Sequence, residues 1–177
     1  IYLAAGTGEV MALDAKSGCT HWIHATERLV RSVGVATLST GRTIVYFGDG
    51  RGFVTALDAK NGRRLWSTSI DEHALAKVTA TPSFFADRIY VPMSTIEDPL
   101  QHLPDYPCCT SRGSVSALDA RTGKLLWKQF TVREAPRPAG SVPPLDPAPP
   151  PSSDPPPKFL PAGGAIFSPL TLDPKRG

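Results

Sequence analysis

Two adjacent cysteines, Cys108 and Cys109, carry the most reactive chemistry in this 177-residue chain. Such a pair can remain as free thiols near a strand end, one member can pair with the third cysteine, Cys19, or the neighbours can bridge each other. A bridge of the last kind joins α-carbons that a trans peptide sets about 3.8 Å apart, below the usual disulfide range of about 4.4–6.8 Å, and closes an eight-membered ring. Three residues on, Arg112 brings a permanent cation with a planar donor fork. It suits a ligand carboxylate or carbonyl, or equally the surface of a strand entry. Glu97 and Asp98 stand just upstream. A carboxylate pair can bind calcium, but exposed loop acids are far commoner, so no metal site is assigned. His21, His24, His73 and His102 have no ligand spacing, and neither a Ser-His-Asp constellation nor a phosphate loop is present.

The elements that must position these residues come from a repeat. Residues 10–22, 54–66 and 115–127 align without a gap as V-x-A-L-D-A-[KR]-x-G-x-x-x-W. Val and Leu alternate with Ala on a strand, Asp starts a turn by bonding its own backbone, and Gly supplies the positive φ that ends it. Each copy therefore reads as a β-hairpin with a Trp on its second strand. Another short apolar strand precedes each copy, at 1–5, 43–48 and 88–93, and two copies have a further one at 32–38 and 80–85. Four short strands per unit describe a propeller blade. No window convincingly repeats apolar residues three and four apart, so helix should be nearly absent. The small Ala leaves room for a neighbouring blade, and the Trp is expected to stack over that neighbour's turn. Arg31 and Thr79 begin innermost strands, the positions that line a propeller's channel and could touch a ligand at its mouth.

Trp22 and Trp66 are 44 residues apart and Trp66 and Trp127 are 61 apart, so 17 extra residues fall between the second and third strands of the last blade, within 94–110. A second interruption follows at 136–157, where 11 of 22 residues are proline. It is expected to be an extended solvated loop that cannot pair as a strand. After it, 165–172 reads as the first strand of another blade. The resulting division is blades over 1–135, a proline-rich loop over 136–162 and the start of the next blade over 163–177. That is about two complete blades and two partial ones, against the roughly 4–8 of a closed propeller. The apolar opening at Ile1-Tyr2-Leu3 and the close at Lys175-Arg176-Gly177 read as cuts through a longer protein. The formal charge of +3 is spread over 19 basic and 16 acidic residues with no basic run, which argues against nucleic acid or a lipid surface as partner. No stretch approaches the roughly 18 apolar residues of a membrane span.

Outside the proline-rich loop, nearly the whole chain resembles the tryptophan-docking repeat of pyrroloquinoline quinone (PQQ) dehydrogenases, whose catalytic domain is an eight-bladed propeller. The string Cys108-Cys-Thr-Ser-Arg-Gly-Ser-Val115, with Gly164-Ala-Ile-Phe-Ser168 and Asp173-Pro-Lys-Arg-Gly177, is most similar to the polyvinyl alcohol dehydrogenase branch. The resemblance implies an all-β partial propeller of four-stranded antiparallel blades. It also implies a Cys108–Cys109 disulfide whose flat, hard ring lies against one face of the quinone. Arg112 would meet a quinone carboxylate or carbonyl, and Gly163, Gly164 and Ala165 would bring backbone amides to the cofactor. Arg31 and Thr79 complete the candidate PQQ contacts. The family usually has Ser before its Gly-Ala and Trp where Phe167 stands, and this chain departs from it there. The activity implied is oxidation of an alcohol by PQQ with calcium, electrons leaving to a cytochrome c, in a periplasmic or other extracytoplasmic setting. The aspartate base and calcium ligands lie in later blades of the family and match nothing here. The competing reading is a non-catalytic scaffold for protein partners, as in outer-membrane assembly lipoproteins with the same blades. A relative that keeps the fold and has lost the cofactor is a third.

Overall fold

The structure is a computed structural model that describes residues 1–100, 103, 105, 106, 108–141 and 158–176. Among the described residues, every regular element longer than a single 3₁₀ turn is a β-strand. The first blade contributes β1 (Tyr2–Ala5), β2 (Glu9–Leu13) and β3 (Thr20–Ala25), paired in that order. The second is a complete four-stranded antiparallel meander of β4 (Gly34–Thr37), β5 (Thr43–Gly48), β6 (Phe53–Asp58) and β7 (Arg64–Ser69). The third runs β8 (Ala76–Lys77), β9 (Ser83–Phe85), β10 (Arg88–Thr95), β11 (Ser114–Asp119) and β12 (Leu125–Phe130). Its innermost position, expected as one strand over 80–85, is split. β9 pairs with the start of β10 and β8 with its end. Pro82 and Pro92 lie in the gap between the two pairings, and neither has an N–H to donate across it.

Alternation along β5 explains its unbroken apolar run. Ile44 and Tyr46 face a core shared with the third blade, alongside Val54, Ile89, Val91 and Leu118. Val45 and Phe47 face a core shared with the first, alongside Val10, Trp22 and Leu57. A strand buried on both faces loses the polar alternation of a half-exposed one.

Each letter of the repeat acts as its chemistry requires. Asp14 Oδ1 accepts from the amides of Lys16 and Ser17, and Asp119 Oδ1 from those of Arg121 and Thr122. All three hairpins carry a register shift at the same Ala-Leu step. Trp22 Nε1 donates to Ala59 O at 3.0 Å and Trp66 Nε1 to Ala120 O at 3.0 Å, each across to the next blade. Their rings lie so close over Gly62 and Gly123 that a Cβ there would meet ring carbon at 2.6 and 2.5 Å. Trp127, with no fourth repeat in this chain to receive it, is 43% exposed. A second inter-blade tie comes from the β9–β10 turn, where Asp87 accepts from the amide and hydroxyl of Ser39.

Two expectations for the later chain change. Part of the proline-rich interruption does pair: β13 (Arg137–Pro138) runs antiparallel to β14 (Phe159–Leu160) and forms a neck for the excursion. Two residues at a ribbon edge tolerate a Pro that a central strand would not. Residues 142–157 lie outside the described residues. The stretch 165–172 forms no strand. It touches the third blade through Ile166 N to Met93 O at 3.1 Å and Ser83 Oγ to Leu170 O at 2.7 Å. Among the described residues no helix is long and apolar enough to cross a membrane.

Candidate functional site

The lengthened blade places its extra residues between β10 and β11, and Cys108 and Cys109 sit near the end of that insertion as a vicinal disulfide. Their peptide is cis, with α-carbons 3.0 Å apart, in place of the trans separation expected from sequence. Cys19 is exposed and unpaired, which removes it as a disulfide partner. Cys108 is buried and Cys109 half-buried. Cys108 N donates to Tyr106 O at 2.9 Å. Its carbonyl accepts from the amides of Lys158 and Phe159 at 2.6 and 3.3 Å, which ties the disulfide to the neck of the proline-rich excursion.

The glycines expected near the cofactor join the same cluster. Gly113 N donates to Gly163 O at 2.8 Å and Gly163 N to Ser111 O at 3.0 Å, so the Gly163 amide is already committed. Thr131 Oγ1 contacts both Gly113 O at 2.9 Å and Gly164 O at 2.8 Å. A Cβ on Gly113 would stand 1.9 Å from Gly164 O and 2.8 Å from Ala165 Cα, so only two bare backbones fit here. Arg112 pairs in parallel with Gly163 through its backbone. Its guanidinium lies 3.7 Å over the Phe130 ring, and Nη1 donates to Val132 O and Arg133 O at 3.3 and 2.9 Å. Its other nitrogens have no protein acceptor among the described residues. Cys108, Cys109, Arg112, Gly163, Gly164 and Ala165 are therefore brought together in one cluster.

Arg31 and Thr79 form a second group, although neither begins a strand as expected: Arg31 lies ahead of β4 and Thr79 between β8 and β9. Both line a cavity of about 400 Å³ together with Glu27, Arg28, Arg51, Lys77 and Ile96. Arg28 is neutralised by buried Asp49 at 3.2 Å, while the other three cations have no carboxylate partner among the described residues. Ser94 Oγ donates to Lys77 O, so the hydrogen bond of 2.9 Å between Thr79 and Ser94 is donated by Thr79. Ile96 carries the cavity wall into the insertion, since the next residue is Glu97.

Glu97 is what the sequence reading missed. Read as a loop acid, it is 1% exposed. Oε1 accepts from Tyr106 Oη at 2.9 Å, Thr110 N at 2.8 Å and Thr110 Oγ1 at 3.3 Å. Oε2 accepts from Ser111 N at 2.7 Å and from the Ser111 hydroxyl. Burial alone would raise its pKa. The hydrogen bonds from Ser111, Thr110 and Tyr106 outweigh that and hold it below the ordinary 4.5. The same arrangement raises the Tyr106 hydroxyl to about 12, through burial first and then its bond to the carboxylate. With both oxygens committed, Glu97 is a poor calcium ligand, and no group of three His, Cys, Asp or Glu residues that could hold a metal occurs among the described residues. His73 Nδ1 accepts from Leu75 N at 3.2 Å, so Nε2 carries the proton it donates to Thr110 Oγ1 at 2.9 Å. His21 lies 3.8 Å from surface Asp14, and His24 Nδ1 donates to Gly62 O at 3.1 Å. His102 is outside the described residues.

Residues 1–95 match the PQQ_2 family model, described as outer membrane protein assembly factor BamB. The chain belongs to that family. Within these PQQ-type propellers it is 36% identical over 142 residues to a polyvinylalcohol dehydrogenase of Sphingopyxis, covering 78% of this chain and 22% of the relative. It is 34% identical to a polyvinylalcohol dehydrogenase of Pseudomonas, covering all of this chain and 27% of the relative. The chain thus spans about a quarter of these relatives' length. Among solved structures, the quinohemoprotein alcohol dehydrogenase ADHIIG from Pseudomonas putida superposes with a TM-score of 0.60 at 25% identity, over 81% of this chain and 20% of that one. The all-β blade architecture is shared with these PQQ propellers.

Proposed function

We propose that this chain is the disulfide-bearing arc of a PQQ-dependent alcohol dehydrogenase of the polyvinyl alcohol dehydrogenase kind. The parent would be an eight-bladed propeller, with blades over 1–135, a proline-rich excursion over 136–162 and the next blade opening at 163. The observation that carries this reading is the closed vicinal disulfide, held at the end of a lengthened blade and hydrogen-bonded to the chain that leads into Gly163–Ala165. A scaffold propeller has no need of that insertion.

PQQ is a planar tricarboxylate, and the residues present suit it. The disulfide offers a rigid face that cannot change rotamer. Arg112 is pre-oriented by Phe130 and retains donors for a carboxylate. Arg31, Lys77 and Arg51 bring three cations, against the one carboxylate of Glu27, to the cavity that Thr79 also lines, a net positive setting for another quinone carboxylate. When bound, the quinone supplies a two-electron acceptor for the hydride of an alcohol carbon. The part of this chain is to hold that acceptor in plane and to balance its charge. Among the described residues no group of three metal-ligating side chains occurs, and a base and calcium ligands would come from the remaining blades. Transfer of electrons to a cytochrome c and a periplasmic or other extracytoplasmic location complete the proposal, the latter because a disulfide persists in oxidising compartments.

The test is dye reduction by the full-length protein with a secondary alcohol, with and without PQQ and calcium, beside Cys108→Ser/Cys109→Ser. PQQ-dependent turnover that the double substitution weakens by about tenfold or more is expected. No PQQ binding and no turnover across a panel of alcohols would leave the scaffold reading, in which the blades hold other proteins.

A further inference from the structure

A disulfide can serve as a platform only if the loop carrying it is fixed, and among the described residues of this loop the 3₁₀ turn Asp98–Leu100 is the only regular structure. Cys108 is nevertheless buried. The group that closes the loop is Glu97, which directly follows β10 except for Ile96. The donors it gathers flank the cysteines on both sides: Tyr106 two residues before Cys108, and Thr110 and Ser111 immediately after Cys109. Two of the bonds come from backbone amides, which no rotamer change can redirect.

We propose that Glu97 is the positioning residue of the vicinal disulfide, its buried carboxylate fixing the Cys108–Cys109 ring in place from both flanks. The importance of that ring for a cofactor rests on the function proposed above, but the tie itself does not. The role demands a carboxylate. Only the ionised acid is acceptor-only on both oxygens, and here both receive donors. A glutamine of the same shape turns one acceptor into an NH₂ that faces either the Ser111 or the Thr110 amide, donor against donor. An aspartate keeps the charge but is one methylene short of its partners.

The experiment uses the full-length protein, following reduction of the disulfide by dithiothreitol through thiol labelling of Cys108 and Cys109, and PQQ affinity by fluorescence quenching. Glu97→Gln is compared with wild type and with Arg121→Gln. The latter breaks the Arg121–Asp119 ion pair in the β11–β12 turn of the same blade, away from the insertion. The expected result is reduction about tenfold faster and PQQ binding about tenfold weaker in Glu97→Gln, the consequence of losing at least one charge-assisted hydrogen bond, with Arg121→Gln within about twofold of wild type in both. Should Glu97→Gln fail to accumulate, Thr110→Val/Ser111→Ala removes two hydroxyl donors and leaves both amides, and reduction about threefold faster is expected. Reduction unchanged in Glu97→Gln, or accelerated equally in Arg121→Gln, overturns the proposal. Faster reduction in Glu97→Gln with no PQQ binding by wild type keeps the tie and discards the quinoprotein reading.

Discussion

Tryptophan docking is the most sharply testable feature of the fold, because the repeat contains its own control. Gly18, Gly62 and Gly123 occupy the same turn position at φ of 73°, 69° and 74°. A Cβ at Gly18 would have nothing within 4 Å, whereas Gly62 and Gly123 lie under Trp22 and Trp66. Alanine at Gly18 should therefore cost only the left-handed backbone, about 1–2 kcal/mol. At Gly62 the same methyl would stand 2.6 Å from Trp22 Cε3, and the ring must lift. Overpacking of that kind adds about 1–3 kcal/mol, for a total of about 2–5 kcal/mol. In a Trp22→Ala background the ring is gone, and Gly62→Ala should fall back to about 1–2 kcal/mol, a coupling of about 1–3 kcal/mol. Urea unfolding of the 177-residue chain followed by tryptophan emission reads both stability and docking. The spectrum of Gly62→Ala should shift red as Trp22, 9% exposed, becomes wetter. If Gly18→Ala and Gly62→Ala lose equal stability, or the cycle closes with no coupling, the stacked ring is not what makes glycine necessary.

Two further outcomes follow from the same contacts. Trp66→Phe should cost more than Trp22→Phe by about 1 kcal/mol, because Ala59 O keeps a second donor, Tyr2 Oη at 3.2 Å, while buried Ala120 O has no other donor among the described residues. The same unfolding assay measures it. For pH, the Glu97 carboxyl is held below 4.5 in the fold, so its stabilisation is present above 4.5 and lost as pH falls through the folded value. Tyr106, raised from 10.0 to about 12, stabilises the fold below 10 and ceases to as pH passes about 12. Reduction of Cys108–Cys109 by a trialkylphosphine should thus be slowest and level across neutral pH and accelerate below about 4.5. A monotonic profile with no acid-side rise would contradict the role of the carboxylate.

What could be read from sequence divides along the line between periodic and non-periodic chain. Asp14, Gly62 and Trp22 were legible because each acts within a turn or across one blade interface, and three aligned copies show which letters cannot vary within the repeat. The split innermost strand of the third blade was less so. Pro82 and Pro92 are visible in the sequence, but only the register of β10 sets them across one gap. Glu97 was not legible at all, since its donors lie 9–14 residues away along a loop without period. Nothing in the identity of a loop acid tells a solvated carboxylate from one that gathers two amides and three hydroxyls.

The two places where the repeat breaks are, however, the informative ones, and they meet. The insertion after β10 and the proline-rich excursion after β12 are separate departures from a 44-residue blade. Cys108 O accepts from Lys158 and Phe159 at the excursion's return, and Gly113 and Gly163 clasp each other just beyond. Periodic blades bury their faces against one another and fix the roots of their loops, leaving chemistry to whatever interrupts the period. Two interruptions joined at a disulfide carbonyl are therefore better evidence of a site than either motif alone. A chain that needed only to stack blades would gain nothing by lengthening two loops and then binding them to each other.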